Sequence, residues 1–202
     1  MSVCYIVGAG EFPYPFTKSE GDLVIAADGG FDALLRYGIS CDLLIGDLDS
    51  IERVPDGVEI LRHPVKKDET DMHLAYLEAR RRGYSDIRIY GGTGGREDHT
   101  FANLSLLLYI KNDGAEGTLY GRNNLFTVIK NEEKRYTGTK GKHFSAFAFG
   151  TEAHGVTIRG LEYECEGITL TPDFPLATSN VFTDREAVVS VTDGALLIIT
   201  EI

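Results

Sequence analysis

The feature that most constrains this chain is an alternation in its first half. Short apolar runs, each ending in glycine or aspartate, take turns with stretches of helical character. Val3 to Val7 runs into Gly8-Ala9-Gly10, Asp22 to Ala27 into Asp28-Gly29-Gly30, and Asp42 to Gly46 into Asp47-Leu48-Asp49-Ser50. Asp86 to Tyr90 leads into a glycine-rich loop that reaches His99. Runs that are apolar nearly throughout suit strands covered on both faces, as in a parallel sheet. Between them the sequence predicts helices at Phe31 to Tyr37, around Thr70 to Arg82 and around Thr100 to Lys111. Gly38 and Gly83 stand where a left-handed residue terminates a helix. Strand and helix in alternation imply an α/β domain with a mainly parallel sheet.

The pattern changes near Gly121-Arg122-Asn123-Asn124. LFTVIK, HFSAFAF, VTIRGLEYE, GITLT, AVVSV and ALLIITEI follow as short β-branched or aromatic segments separated by Gly, Asn, Asp or Pro. Closely spaced strands with turn signals and no helix between them predict a smaller all-β, sandwich-like domain. The expected division is residues 1–123 and 124–202.

A chain of 202 residues suits one large domain or two small ones, and its 43% hydrophobic and 25% charged residues exclude disordered and fibrous classes. A formal charge of −11 argues against a protein that tracks nucleic-acid backbones, though not against a small anion bound through a cation. Cys4, Cys41 and Cys165 show no zinc or disulfide spacing. No stretch has the length of a membrane span or the pattern of a signal peptide, so no membrane partner is expected and the expected compartment is the cytoplasm.

Ligands of open α/β sheets collect at the carboxyl ends of the strands. There this sequence gathers acidic residues: Asp47 and Asp49 after one strand, and Lys67-Asp68-Glu69-Thr70-Asp71 at the start of a helix. After a third strand comes Gly91-Gly92-Thr93-Gly94-Gly95-Arg96-Glu97-Asp98-His99. Taken singly, Asp68 or Thr70 reads as a helix N-cap and Asp71 as a complement to the helix dipole. Carboxylates brought together repel at reduced dielectric and call for a cation. Hard oxygen ligands favour Mg²⁺ or Mn²⁺ over zinc, and His63, His73, His99, His143 and His154 form no spaced ligand motif. Consecutive glycines before a helix let backbone N–H groups approach an anion, and Arg96 offers a guanidinium suited to phosphate. Asp98 can then accept from a ribose or adenine group or join the metal shell. No P-loop is present, since Gly141-Lys142 lacks its leading glycine, and Pro13 breaks the dinucleotide pattern opened by Gly8-Ala9-Gly10. The residues therefore predict metal-assisted phosphate transfer from a nucleotide.

The ordered set of motifs resembles the thiamine pyrophosphokinase family over nearly the whole chain. Asp28-Gly29-Gly30, Gly46-Asp47-Leu48-Asp49-Ser50, Lys67-Asp68-Glu69-Thr70-Asp71 and Gly94-Gly95-Arg96-Glu97-Asp98-His99 match its catalytic domain. Gly155-Val156-Thr157-Ile158-Arg159-Gly160-Leu161 and Thr178-Ser179-Asn180 match its smaller β domain. The resemblance implies ATP-dependent transfer of a pyrophosphoryl group to the hydroxyethyl oxygen of thiamine, giving thiamine diphosphate and AMP. It implies a homodimer, with residues 1–123 catalytic and residues 124–202 thiamine-binding. By it, Asp47, Asp49 and Asp71 would hold Mg²⁺, and Asp28, Gly29, Gly94, Gly95, Arg96 and Asp98 would bind ATP. Lys67, Asp68, Asp71 and Arg96 would act at the reacting groups, and Thr178, Ser179 and Asn180 would bind thiamine. The sequence has no tryptophan, and Phe182 reads either as an aromatic stacked on the thiazolium cation or as sandwich core. Two other readings of the acidic set are a metal-dependent phosphatase and a non-catalytic nucleotide or thiamine sensor. The first strand carries no aspartate nucleophile, and a sensor has little need of several converging carboxylates.

Overall fold

A computed structural model describes residues 2–47, 57–62 and 68–202. Two compact units emerge, Met1–Arg122 and Asn123–Ile202. In the first, strands β1 (Val3–Val7), β2 (Leu23–Ala27), β3 (Leu43–Gly46), β4 (Glu59–Arg62), β5 (Asp86–Tyr90) and β6 (Glu116–Tyr120) alternate with three helices. These are α1 (Gly30–Arg36), α2 (Asp71–Arg81) and α3 (Glu97–Asn112). Every strand pair is parallel, in the order β6-β5-β1-β2-β3-β4. The chain builds outward from β1 on one side and then returns to its other side with β5, so β1 and β5 flank a topological switch point.

Strands β1 and β2 are buried at every position, as parallel strands covered on both faces must be. On one face Tyr5, Val7, Val24, Ala26 and Tyr90 pack with Phe31 and Leu34 of α1. No helix joins β1 to β2; instead Phe12 and Phe16 of the intervening loop cover that face, with Phe16 stacked on Tyr5 at 3.9 Å between centroids. α2 packs on β1, β2 and β3, and α3 on β6. Gly38 and Gly83 adopt φ of +65° and +90°, and the bonds Ile39 N to Leu34 O and Tyr84 N to Ala79 O close both helix ends.

Strands β4 and β6 were not foreseen from the pattern, because each is half exposed and β6 is interrupted by Gly117 and Thr118. α3 starts at Glu97 rather than near Thr100, with Glu97 and Asp98 in the first turn favoured by the helix dipole.

The second unit carries β7 (Asn124–Lys130), β8 (Glu133–Tyr136), β9 (His143–Ala148), β10 (Ala153–Arg159), β11 (Cys165–Leu170), β12 (Asn180–Val181), β13 (Ala187–Ser190) and β14 (Ala195–Glu201). They form two antiparallel sheets, β12-β9-β14-β7 and β11-β10-β13-β8. The inner faces share one core: Ile129, Phe144, Ala146, Leu196 and Ile198 meet Val156, Ile158, Leu170 and Val189. This is a β-sandwich. The segment VTIRGLEYE ends as a strand at Arg159, because Gly160 turns the chain at φ +81°.

An ion-pair cluster built around buried Glu78 ties α2 to β4. The Glu78 carboxylate accepts from Arg81 and Arg82, and Arg82 also reaches Glu59 at 2.6 Å. Its arginine partners, Arg81 first, hold the Glu78 carboxyl down at about 2. With the folded value below the unfolded one, the stabilisation is complete above the ordinary carboxylate range and is lost as pH falls towards 2. Urea unfolding of the wild type and Glu78→Gln is expected to differ in midpoint at neutral pH and to converge near pH 2. Phe182 is 1% exposed and meets Phe144 edge-to-face at 5.6 Å. Phe182→Ala is expected to destabilise the second unit by about 3–5 kcal/mol in chemical denaturation.

Candidate active site

The carboxyl ends of β1, β2 and β5 open into a cleft of about 250 Å³. Its floor is a seam between two glycine loops. Gly8 N donates to Tyr90 O at 2.8 Å, Gly10 N to Gly91 O at 2.9 Å and Glu11 N to Thr93 O at 2.6 Å, so the β1–β5 ladder continues past both strand ends. Glycine is required here by contact as well as conformation. A Cβ on Gly91, at φ +64°, would fall 2.1 Å from Gly8 O, and one on Gly10 would fall 2.3 Å from Thr93 O. The Gly8-Ala9-Gly10 sequence thus serves backbone contact, and no helix follows it.

The seam sorts the polar groups of the second loop. The carbonyls of Gly91, Gly92 and Thr93 are all taken, by Gly10 N, Asn103 Nδ2 and Glu11 N respectively. Among the described residues, no protein acceptor meets the N–H groups of Gly92 to Arg96. Donors without acceptors, leading into the N-terminus of a sixteen-residue helix, suit an anion.

Arg96 lines this cleft and Asp98 does not. The Asp98 carboxylate accepts from Arg96 Nε at 3.1 Å and Nη2 at 2.6 Å, and from His99 N at 2.9 Å. The guanidinium, followed by the His99 N–H, holds the Asp98 carboxyl below its usual range. Asp98 therefore grips Arg96 from outside the cleft. Gly94 has φ +75°, and Gly29 caps α1 beside Ala9.

The acidic side is built from strand ends. Asp28 adopts φ +46°, a left-handed conformation that Asp tolerates better than most residues. Its N–H donates to Ile45 O at 2.8 Å, which locks the β2 turn onto β3. Gly46 sits directly against it, since a Cβ there would meet Asp28 Cβ at 3.2 Å, and Asp47 is the next residue. Asp28 and Asp71 both line the cleft. Thr70 is the N-cap of α2, accepting from His73 N at 3.2 Å, so the alternative that Asp68 caps this helix falls; Asp68 is exposed ahead of it. Asp49 and Lys67 lie outside the described residues. Among the described residues, no group of three or more His, Cys, Asp or Glu is gathered to hold an ion. The carboxylates that border the cleft are hard oxygen donors with no thiolate beside them, and this chemistry fits Mg²⁺.

In the second unit, Thr178 and Asn180 line a cavity of about 290 Å³ together with Tyr163, Glu164 and Leu176. Ser179 is exposed at φ +58°, with its N–H on Ser145 Oγ. Asn180 is 4% exposed and clamps the backbone of Tyr163, accepting its N–H at 3.0 Å and donating to its carbonyl at 2.7 Å. Of the two readings of Phe182, its burial favours the sandwich core. Its ring is enclosed by Phe144 and by Gly138, whose Cβ position lies 2.4 Å from it, so neither ring face is open for stacking. Asn103 is the cleft residue that sequence reasoning missed; its one signal is an asparagine on the apolar face of α3.

Residues 16–119 match the family model for the thiamin pyrophosphokinase catalytic domain, and residues 127–196 match that for the thiamin pyrophosphokinase vitamin B1 binding domain. The chain is 29% identical over 194 residues to a thiamine pyrophosphokinase of Bacillus subtilis (strain 168), covering 89% of this chain and 87% of that protein. A crystal structure of thiamine pyrophosphokinase from Bacillus subtilis superposes with a TM-score of 0.90 at 25% identity, covering 100% of this chain and 99% of the other. The yeast enzyme's structure shares the fold, with a TM-score of 0.74 at 15% identity over 99% of this chain and 86% of its own. With both domain models matched in order over most of its length, the chain belongs to the thiamine pyrophosphokinase family.

Proposed function

We infer that this chain is a thiamine diphosphokinase, transferring the pyrophosphoryl group of ATP to thiamine. The observation that carries this reading is the glycine loop whose Gly91, Gly92 and Thr93 carbonyls are tied back and whose N–H groups are open, in a chain of this family. In the transfer, the thiamine hydroxyl oxygen bonds to the β-phosphorus. The bond from that phosphorus to the α–β bridging oxygen breaks, AMP departs with the oxygen, and the hydroxyl proton is released.

The polyphosphate lies against the N–H groups of Gly92 to Arg96, with Arg96 contributing a planar pair of donors as charge moves to the departing oxygen. Asp28, Gly29, Gly94 and Gly95 shape the nucleotide side. Asp98 contributes by fixing Arg96. Asp47, Asp49 and Asp71 would hold Mg²⁺, which when bound neutralises polyphosphate charge. Lys67 and Asp68 would act at the reacting groups, as the family resemblance implies. Asp71, which borders the cleft, is better placed for the hydroxyl proton than exposed Asp68, though loose phosphoryl transfer asks little of a base. Residues 124–202 take the thiamine role through Thr178, Ser179 and Asn180, and the chain works as a homodimer. Among the described residues no helix is long and apolar enough to cross a membrane.

Incubation with ATP, Mg²⁺ and thiamine is expected to form AMP in step with thiamine diphosphate. ADP would overturn the pyrophosphoryl assignment, orthophosphate would indicate a phosphatase, and no turnover a sensor. Asp71→Asn is expected to lower kcat by about a hundredfold or more while the variant still folds. Arg96→Lys is expected to raise the KM for ATP about tenfold, since an ammonium cannot reproduce the paired guanidinium donors.

A further inference from the structure

A loop cradles an anion only when its carbonyl oxygens turn away from the bound charge. Backbone donors hold two of the carbonyls in the glycine loop, those of Gly91 and Thr93. The carbonyl between them, Gly92 O, is met by no backbone donor, and Asn103 Nδ2 takes it at 2.9 Å. Asn103 is 5% exposed, and Leu106, Leu107 and Ile110 are the other large buried residues of α3. A polar side chain on such a face is costly unless it is bonded. The carbonyl partner also identifies which end of the amide is the nitrogen.

We propose that Asn103 is a positioning residue for the polyphosphate: it ties back Gly92 O, the carbonyl that lies between the two held by backbone donors. In a trans peptide the C=O and the following N–H point in opposite directions, so holding Gly92 O towards α3 turns the Thr93 N–H away from it. The contact is tight as well as polar. A Cβ on Gly92 would meet Leu119 Cδ1 at 2.6 Å and Asn103 Nδ2 at 3.3 Å, so loop and amide have one way to fit. Without the amide, Gly92 O is free to rotate towards the bound phosphates and repel them. The proposal rests on the functional reading above and deepens it, naming the residue that sets the polarity of the phosphate cradle.

Asn103→Leu keeps the side-chain size and the helix while removing the donor. Calorimetric titration with inorganic tripolyphosphate and with ATP, alongside steady-state kinetics, tests the proposal. The folded variant is expected to bind both anions about tenfold more weakly, with the KM for thiamine unchanged. A general loss of structure would not separate the two substrates in this way. Asn103→Asp, close to isosteric, places a carboxylate opposite Gly92 O and is expected to weaken tripolyphosphate binding further; it carries the test should the leucine variant not fold. Wild-type affinity for tripolyphosphate in a folded variant would overturn the proposal, as would a wild type that does not bind it. A wild type that binds tripolyphosphate without forming thiamine diphosphate would overturn only the functional reading.

Discussion

The seam between the loops after β1 and β5 is the contact on which the site depends. Parallel strands normally part at their carboxyl ends, and loops diverge to cover opposite faces of the sheet. Here the backbones stay paired through Gly8, Gly10 and Glu11, with donors on the first loop and acceptors on the second. That pairing uses up acceptors on the Gly91–Thr93 side and leaves its donors open. Placing the seam at the switch point puts it where an α/β sheet has room for a ligand. Side chains at Gly10 or Gly91 would force the loops apart by direct collision with carbonyl oxygens.

The cleft has two electrostatic halves. One is the array of N–H groups with Arg96; the other is carried by Asp28 after β2 and Asp71 at the start of α2. Carboxylates alone would repel a polyphosphate in a chain whose formal charge is already −11. A divalent cation would reconcile the halves and join the acidic residues and the glycine loop in one site. Asp28 shows how firmly this side is held, since its left-handed backbone persists through the bond to Ile45 and the fit against Gly46.

Much of this was legible before any coordinates. Strands β1, β2 and β3 announce themselves because both faces are buried, which leaves no polar alternation to confuse them with loops. The short strands β4 and β8 leave weak signals, since a few half-exposed residues bury too little to constrain composition. The residues before α2 offered two cap candidates, and only the folded turn distinguished Thr70 from Asp68. Phe182 illustrates the opposite limit: its neighbour Asn180 sits in a matched motif, yet alternation along the chain sends the phenylalanine into the sandwich core.

By itself, the sequence determined the α/β-then-β order, the carboxyl-edge position of the acidic and glycine motifs, and the family. These follow from residue type and spacing, which act locally. Tertiary structure alone decided which polar groups face the cleft. Asp98 turned out to hold Arg96 from outside it, and Asn103, an unremarked helix residue in the sequence, turned out to hold the loop's middle carbonyl. Hydrogen-bond partners eleven residues apart in the chain are set by how α3 packs beside β6, and no local pattern encodes that packing.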